Sequence, residues 1–160
     1  MYTCADYMIE SGDCHNTMSI IQTMTNDHRH CDDLFAKAEE LVSKQDWDTA
    51  KIAFASFRER TLNHFQQEEE VLFPAFEEKT GQSMGPTQMM RMEHSQMRQL
   101  LGDMQTALEQ QDKEQYLGLA ETLMMIIQQH NMKEEQMLYP MTEQVLAEDA
   151  ADVLERMNIA

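Results

Sequence analysis

The chain has 160 residues and carries 29 acidic against 12 basic side chains, which gives a formal net charge of -17. This charge would repel the phosphates of nucleic acids and the headgroups of anionic membranes, so we expect neither as a partner. Gly and Pro are scarce while Met, Gln, Glu and Leu abound, which favours helices. We predict an all-α fold in one domain spanning 1–160.

The first 16 residues are predicted to form an N-terminal arm. They contain no basic segment followed by an apolar one, and no stretch of the chain approaches the roughly 18 apolar residues of a membrane span. The three cysteines, Cys4, Cys14 and Cys31, are odd in number and lack CxxC spacing, which argues against a disulfide framework or a thiolate zinc site. We therefore predict a cytoplasmic protein.

Helical periodicity marks four segments after the arm. They run from about 17 to 43, from 46 to 73, from the 80–86 loop to about 111, and from 112 to 140. Each apolar stripe passes through one histidine that should face inward, and these are His28, His64, His94 and His130. Two of the stripes also contain a glutamate, Glu68 in the second and Glu134 in the fourth.

Local signals set the helix ends. Asn16 or Thr17 could cap the first helix, Asp46 the second and Asp112 the fourth, and Pro74 should kink or stop the second. The short connections demand antiparallel neighbours, so we predict an up-down-up-down four-helix bundle over 17–142. The tail, 143–160, should contain a short helix at about 148–157 packed on the outside.

The two halves of the bundle repeat at a fixed offset of 66 residues. HFQQEEEVLFP at 64–74 pairs with HNMKEEQMLYP at 130–140, and the same offset relates His28 to His94. Each half contributes one lone histidine and one HxxxE pair. Two such hairpins packed with pseudo-twofold symmetry would bring all six side chains together.

This set of side chains indicates a metal site. Residues four apart share one helix face, so each HxxxE pair can aim two ligands at one point. Four imidazoles and two carboxylates suit iron, manganese or zinc, and the glutamates could bridge two ions. Any one of these residues alone would be read as a hydrogen-bonded core histidine or a surface pair, and the combination at one offset favours metal.

Other metal motifs do not match. There is no HExxH, and no bundle histidine has a glutamate three residues before it, which removes the zinc-protease and ferritin patterns. His30 points away from the stripe of His28, and His15 lies in the arm, so both are predicted to be solvated.

The motif set of His28, His64 with Glu68, His94, and His130 with Glu134 resembles the hemerythrin-like, or HHE cation-binding, family over about 17–142. The resemblance implies a four-helix bundle around an oxo- or hydroxo-bridged pair of iron ions, with manganese or zinc as possible substitutes. It further implies that the two glutamates bridge the irons and that the four histidines are terminal ligands.

The chain departs from the oxygen carriers of that family at two positions. Arg98 stands where the carriers have a further histidine, four residues after His94. The carriers place an aspartate where this chain has Glu135, although the HxxxE spacing favours Glu134 as the ligand. Glu69 and Glu135 are second choices as ligands, or residues that support the ligands from outside. Fewer protein ligands leave positions open for a small molecule.

Three functions are compatible with such a metal site. The first is a binding or sensing protein for O2, NO or iron. The second is a di-iron redox enzyme, such as an oxidase, peroxidase or NO reductase, or an iron donor for iron–sulfur repair. The third is metal storage or a structural bundle. We place binding first because no pocket for a second substrate, nucleophile–base pair or nucleotide loop is visible. A protein redox partner could meet the arm, although an inert extension is the simpler interpretation.

Overall fold

The structure, a computed structural model, describes residues 19–157. The predicted arm and the predicted caps Asn16 and Thr17 lie outside the described residues. Within 19–157 all regular elements are helices, which confirms the all-α prediction. None of these helices combines the length and apolar character that crossing a bilayer requires.

Seven α-helices and two π-helical segments follow one another in the described part of the chain. The α-helices are α1 (Ile20–Ser43), α2 (Trp47–Gln67), α3 (Phe73–Thr80), α4 (Pro86–Glu109), α5 (Lys113–Lys133), α6 (Tyr139–Val145) and α7 (Ala150–Met157). The first π segment (Glu68–Leu72) joins α2 to α3 without a break, and the second π segment (Glu134–Leu138) joins α5 to α6.

The helices form two antiparallel hairpins. α1 packs along α2 and α4 packs along α5, while α5 also contacts α1 and α4 contacts α2. This arrangement confirms the up-down-up-down bundle.

Helix starts follow the sequence signals in part. Asp112 caps α5 as predicted, its side chain accepting a hydrogen bond from the backbone N–H of Gln115 (3.1 Å). Asp46 stands at the start of α2 as predicted, but its side chain makes no capping hydrogen bond. At α1 the capping side chain is Ser19, which accepts from the backbone N–H of Gln22 (3.0 Å). Side-chain caps satisfy backbone donors that the first turn leaves without partners.

The 66-residue repeat extends into the hairpin loops. Gln45 and Gln111 both take the left-handed conformation, with φ of 57° and 53°. The residue after each glutamine donates its backbone N–H to a carbonyl five residues earlier. Asp46 donates to Leu41 (3.0 Å) in the first loop, and Asp112 donates to Ala107 (2.9 Å) in the second. Both α1 and α4 therefore end in a Schellman motif.

Of the two predicted effects of Pro74, a kink or a stop, the structure does not show the stop. The helix widens into the first π segment, where the N–H of Phe73 bonds the carbonyl of Glu68, five residues earlier. It then continues through α3. The second half repeats this device before Pro140, where the N–H of Tyr139 bonds the carbonyl of Glu134. A π turn changes the positions of the carbonyls with which a proline ring would otherwise clash. Such turns are frequent at functional sites.

The core consists of two apolar clusters. The first, at the hairpin-loop end, includes Phe35, Phe54, Phe57, Leu101, Met104, Tyr116 and Leu123. The second, at the other end, includes Ile20, Met24, Leu72, Phe73, Met90, Tyr139, Val153 and Met157. The buried histidines and glutamates do not belong to either apolar cluster and form a polar layer of their own.

The C-terminal helix is more integral than expected. We predicted a short helix packed outside the bundle, and α7 confirms the helix. Its Val153 and Met157 are each only 2% exposed and belong to the second apolar cluster, and α7 contacts the first π segment. Burial of these side chains makes α7 part of the core at that end.

We expect Leu101→Ala to lower the free energy of unfolding by about 2–5 kcal/mol, because it leaves a cavity in the first apolar cluster. Urea unfolding followed by circular dichroism measures the change. Met92→Ala, on the same helix but 65% exposed, should stay within about 0.5 kcal/mol of the parent protein. Equal losses in the two variants would contradict the assignment of Leu101 to a tightly packed core.

Candidate metal centre

The structure brings the six predicted side chains to one place. They come from four helices and the starts of the two π segments. Each of the six is at most 3% exposed, and these are His28, His64, Glu68, His94, His130 and Glu134. The i, i+4 spacing works as expected, with 3.2 Å from His64 Nε2 to Glu68 Oε1 and 3.0 Å in the equivalent pair of α5.

The histidines form two pairs that face each other through the same ring atom. The Nε2 atoms of His28 and His64 are 3.1 Å apart, and those of His94 and His130 are 3.2 Å apart. Each pair joins the two helices of one hairpin. The layer therefore contains two histidine pairs, one from each half of the repeat.

Each glutamate reaches one histidine of both pairs. Glu68 Oε1 lies 3.2 Å from His64 Nε2 and 3.3 Å from His94 Nε2. Glu134 Oε1 lies 3.2 Å and 3.0 Å from the corresponding atoms of His28 and His130. The side chains thus make two groups that could each hold a metal ion, one containing His94 and His130 and the other His28 and His64, with Glu134 in both.

A carboxylate faces the outer nitrogen of every imidazole. We call Asp27, Glu69, Glu93 and Glu135 the outer carboxylates. The Nδ1 atoms of His28, His64, His94 and His130 lie 3.0, 2.6, 2.8 and 2.9 Å from Glu135, Asp27, Glu69 and Glu93 respectively. A carboxylate at Nδ1 fixes the proton there, so in the neutral ring Nε2 presents its lone pair to the centre.

Each outer carboxylate also has a cation. Asp27 bonds Arg60, Glu69 bonds Arg98, Glu93 bonds Lys133 and Glu135 bonds Arg29. Arg98, which replaces the further histidine of the oxygen carriers, therefore binds Glu69 through two hydrogen bonds of 2.8 Å. Because these pairs balance one another, the two buried glutamates carry the charge that remains inside when the imidazoles are neutral.

The donor set fits metal ions. Glu68 Oε1 and Glu134 Oε2 are buried without a hydrogen-bond partner. The four Nε2 lone pairs point at the same space, so neutral histidines give these oxygens no proton to accept. A buried carboxylate without compensation costs several kcal/mol. Cations between the imidazoles and the carboxylates would remove that cost.

The pKa values show how strongly this layer favours positive charge. Burial acts to lower the pKa of His130, but Glu134 and then Glu68 outweigh it and raise the pKa to about 9. His64 behaves likewise, its pKa held well above the usual value by Glu68 and Asp27 against burial. Burial acts to raise the pKa of Glu68, but His64 keeps it well below its ordinary value.

Tyr139 completes the layer from the second apolar cluster. Its hydroxyl oxygen lies 2.9 Å from Glu68 Oε2, 3.1 Å from Glu134 Oε1, and 3.1 and 3.4 Å from the Nε2 atoms of His28 and His64. Burial, followed by the charges of the two glutamates, holds the pKa of its hydroxyl well above the ordinary value. The sequence patterns gave no reason to single out this residue.

Among the outer carboxylates, Asp27 and Glu93 were also missed. They precede His28 and His94 and are related by the same 66-residue offset, which is the signal that could have found them. Glu69 and Glu135, the second-choice residues, bond imidazole Nδ1 atoms from outside. His30 is exposed as expected, and His15 lies outside the described residues.

The fold and the layer of buried histidines and glutamates define a four-helix metal-binding bundle. The model of the hemerythrin HHE cation binding domain matches residues 19–142, which is most of the chain. The chain belongs to the hemerythrin HHE cation-binding family. Neither the curated proteins nor the solved structures contain a match to it.

We expect His64→Ala and Glu134→Ala to lower metal occupancy and to lower the melting temperature of the metal-loaded protein, because metal that binds only the folded state stabilises it. Metal per chain is counted by elemental analysis, and melting is followed by circular dichroism. His30→Ala, which changes an exposed histidine of α1, should alter neither value. A comparable loss in His30→Ala would show that the ligand of the first helix is assigned wrongly.

We expect the metal-free protein to lose stability as pH rises from about 6.5 to 9. The folded-state pKa of His130 is about 9 against 6.5 for the free side chain, so its contribution is complete below 6.5 and is lost as pH rises through 9. Thermal melts in the presence of a chelator measure this. Metal-loaded protein should not show the same fall, because ligation requires neutral imidazole and metal affinity increases as protons leave. A pH-independent melt of the metal-free protein would contradict the paired state of these histidines.

Proposed function

We propose that this protein holds a non-haem di-iron centre and uses it to bind or sense a small diatomic ligand, O2 or NO, or to respond to iron. The proposed ligands are the six side chains of the buried layer, His28, His64, Glu68, His94, His130 and Glu134. Imidazole nitrogen with carboxylate oxygen suits iron, with manganese and zinc as possible substitutes. Two histidine pairs joined by two glutamates favour two ions over one.

A small cavity beside the layer carries the proposal. It has a volume of about 20 Å³, and its lining includes His28 and His64. Phe57, Met97 and Ile127 supply apolar walls. A space of this size admits about one water-sized molecule, so a diatomic ligand fits and an organic substrate does not. Its size therefore favours binding of a gas over turnover of a larger substrate.

The cavity lies on the side of the centre that carries His28 and His64. Phe65 stacks on His94 with ring centroids 4.1 Å apart and an interplanar angle of 15°. The repeat offset relates Phe65 to Asn131, so the position matching this phenyl ring near His28 carries a shorter amide, and Asn131 lines the cavity. We propose that the diatomic ligand binds at the ion held by His28 and His64.

Thr61 places a hydroxyl in the cavity wall and is 5% exposed. Beside it in the wall is the thiol of Cys31, whose pKa is raised by burial, an effect that a hydrogen bond with Thr61 opposes. A hydroxyl in this position can also donate to an oxygen of O2 or NO.

The proposed compartment is the cytoplasm. Cys31 is a free thiol among the described residues, and a reducing environment preserves such thiols. A protein redox partner is a further proposal, and Cys4 and Cys14, which could serve it, lie outside the described residues.

The test begins with protein loaded with iron. Elemental analysis should give two irons per chain, and the visible absorption spectrum should change when the reduced protein meets O2 or NO. Reversal on removal of the gas supports a carrier or sensor. Sustained consumption of O2, NO or peroxide would instead assign a redox enzyme. Iron content near zero in all conditions would refute the di-iron centre.

We expect Asn131→Phe to keep two irons and to weaken O2 or NO binding by about tenfold or more, equivalent to about 1.4 kcal/mol. The added ring would occupy the cavity that Asn131 lines. Titration of the spectral change measures the affinity. Met132→Phe, at a neighbouring position that is 55% exposed, serves as the control and should bind gas normally. Unchanged affinity in Asn131→Phe would place the gas elsewhere.

A further inference from the structure

Tyr139 sits at the centre of the layer, although no metal-site motif includes it. It is fully buried, and its hydroxyl oxygen lies between 2.9 and 3.4 Å from four atoms of predicted ligands. Two of these are the Nε2 atoms of His28 and His64. The other two are carboxylate oxygens of Glu68 and Glu134.

Hydrogen bonding accounts for only part of this crowding. A phenol has one proton to donate, which can serve the 2.9 Å contact to Glu68. In the neutral form that metal ligation requires, the His28 and His64 rings carry their protons on Nδ1, facing Glu135 and Asp27, so their Nε2 atoms have none to give. The phenol oxygen therefore lies close to two nitrogen lone pairs and to the carboxylate of Glu134, and no proton is available for a hydrogen bond in these three contacts.

The same distances are typical of atoms that share an ion. Metal bonds to nitrogen and oxygen of about 2.0–2.2 Å put neighbouring donor atoms about 3 Å apart. The four Nε2 atoms and the glutamate oxygens of the layer are separated by 3.0–3.3 Å. The hydroxyl oxygen of Tyr139 is similarly spaced, 3.1 Å from His28, 2.9 Å from Glu68, 3.1 Å from Glu134 and 3.4 Å from His64.

We infer that Tyr139 is a seventh protein ligand, whose oxygen binds the ion held by His28, His64 and Glu134. This inference rests on the proposed metal centre. On ligation the O–H bond is replaced by an O–metal bond, and the proton leaves to solvent, as metal binding by protonated side chains requires. No electrons are transferred in this step.

The first half of the repeat has no equivalent of this ligand, because Phe73 stands at the position that matches Tyr139. Tyr139 stacks on His28 with ring centroids 5.6 Å apart, and Phe73, at the equivalent position, stacks on His94 at 5.9 Å. The two rings are placed alike, but only one carries an oxygen. The two ions therefore have different ligand sets, and the ion that Tyr139 binds is the one beside the cavity lined by His28 and His64.

The test is resonance Raman spectroscopy of protein loaded with ferric iron, combined with iron analysis. A ferric ion bound to a tyrosine oxygen gives a visible charge-transfer band and enhanced phenolate ring vibrations. We expect both in the parent protein and neither in Tyr139→Phe, while that variant keeps two irons through the six other ligands. Tyr116→Phe is the matched control, since Tyr116 is a fully buried tyrosine of the first apolar cluster, and should keep both signals.

Each alternative result overturns the inference in a recognisable way. Two irons in the parent protein without phenolate vibrations would mean that Tyr139 only donates a hydrogen bond to Glu68. Vibrations that survive in Tyr139→Phe would assign them to another tyrosine. Failure of the parent protein to bind iron would remove the proposed di-iron centre as well, and the iron count separates this case from the other two.

Discussion

The burial of two carboxylates inside an otherwise apolar bundle is the constraint around which this protein is organised. Glu68 and Glu134 have no exposed surface, and each has an oxygen without a hydrogen-bond partner. Carboxylates are not left in such places without compensation by positive charge. The imidazoles, the outer carboxylates and the basic side chains beyond them form successive shells of alternating charge around the space where cations would lie.

The outer carboxylates tie the two hairpins together. Asp27 and Glu93 each support a histidine of their own hairpin, whereas Glu69 and Glu135 reach across to His94 and His28 of the other. In the first π segment two adjacent glutamates meet the same imidazole of the other hairpin, Glu68 at Nε2 of His94 and Glu69 at its Nδ1. A single hairpin therefore lacks part of the support for its own imidazoles, and the orientation of the ligands depends on the packing of both halves.

The sequence predicted the bundle and the six converging side chains because both depend on periodic signals. A stripe of apolar residues every three or four positions fixes the helix face, and the 66-residue offset relates the halves. The π segments were not predictable, since nothing in the local propensities marks a change from four-residue to five-residue hydrogen bonding. Asp27 and Glu93 were hidden because neighbouring residues on a helix point in different directions, and only the partner helix shows which imidazole each one meets.

The near-twofold arrangement also bears on how the two halves came to differ. Two copies of one hairpin, assembled as separate chains, would carry every substitution on both sides of the axis. Once both hairpins belong to a single polypeptide, each can mutate alone. The pairs that break the symmetry around the buried layer, Tyr139 with Phe73 and Asn131 with Phe65, are changes of that kind. Joining the two hairpins in one polypeptide therefore lets the two faces of the buried layer carry different side chains.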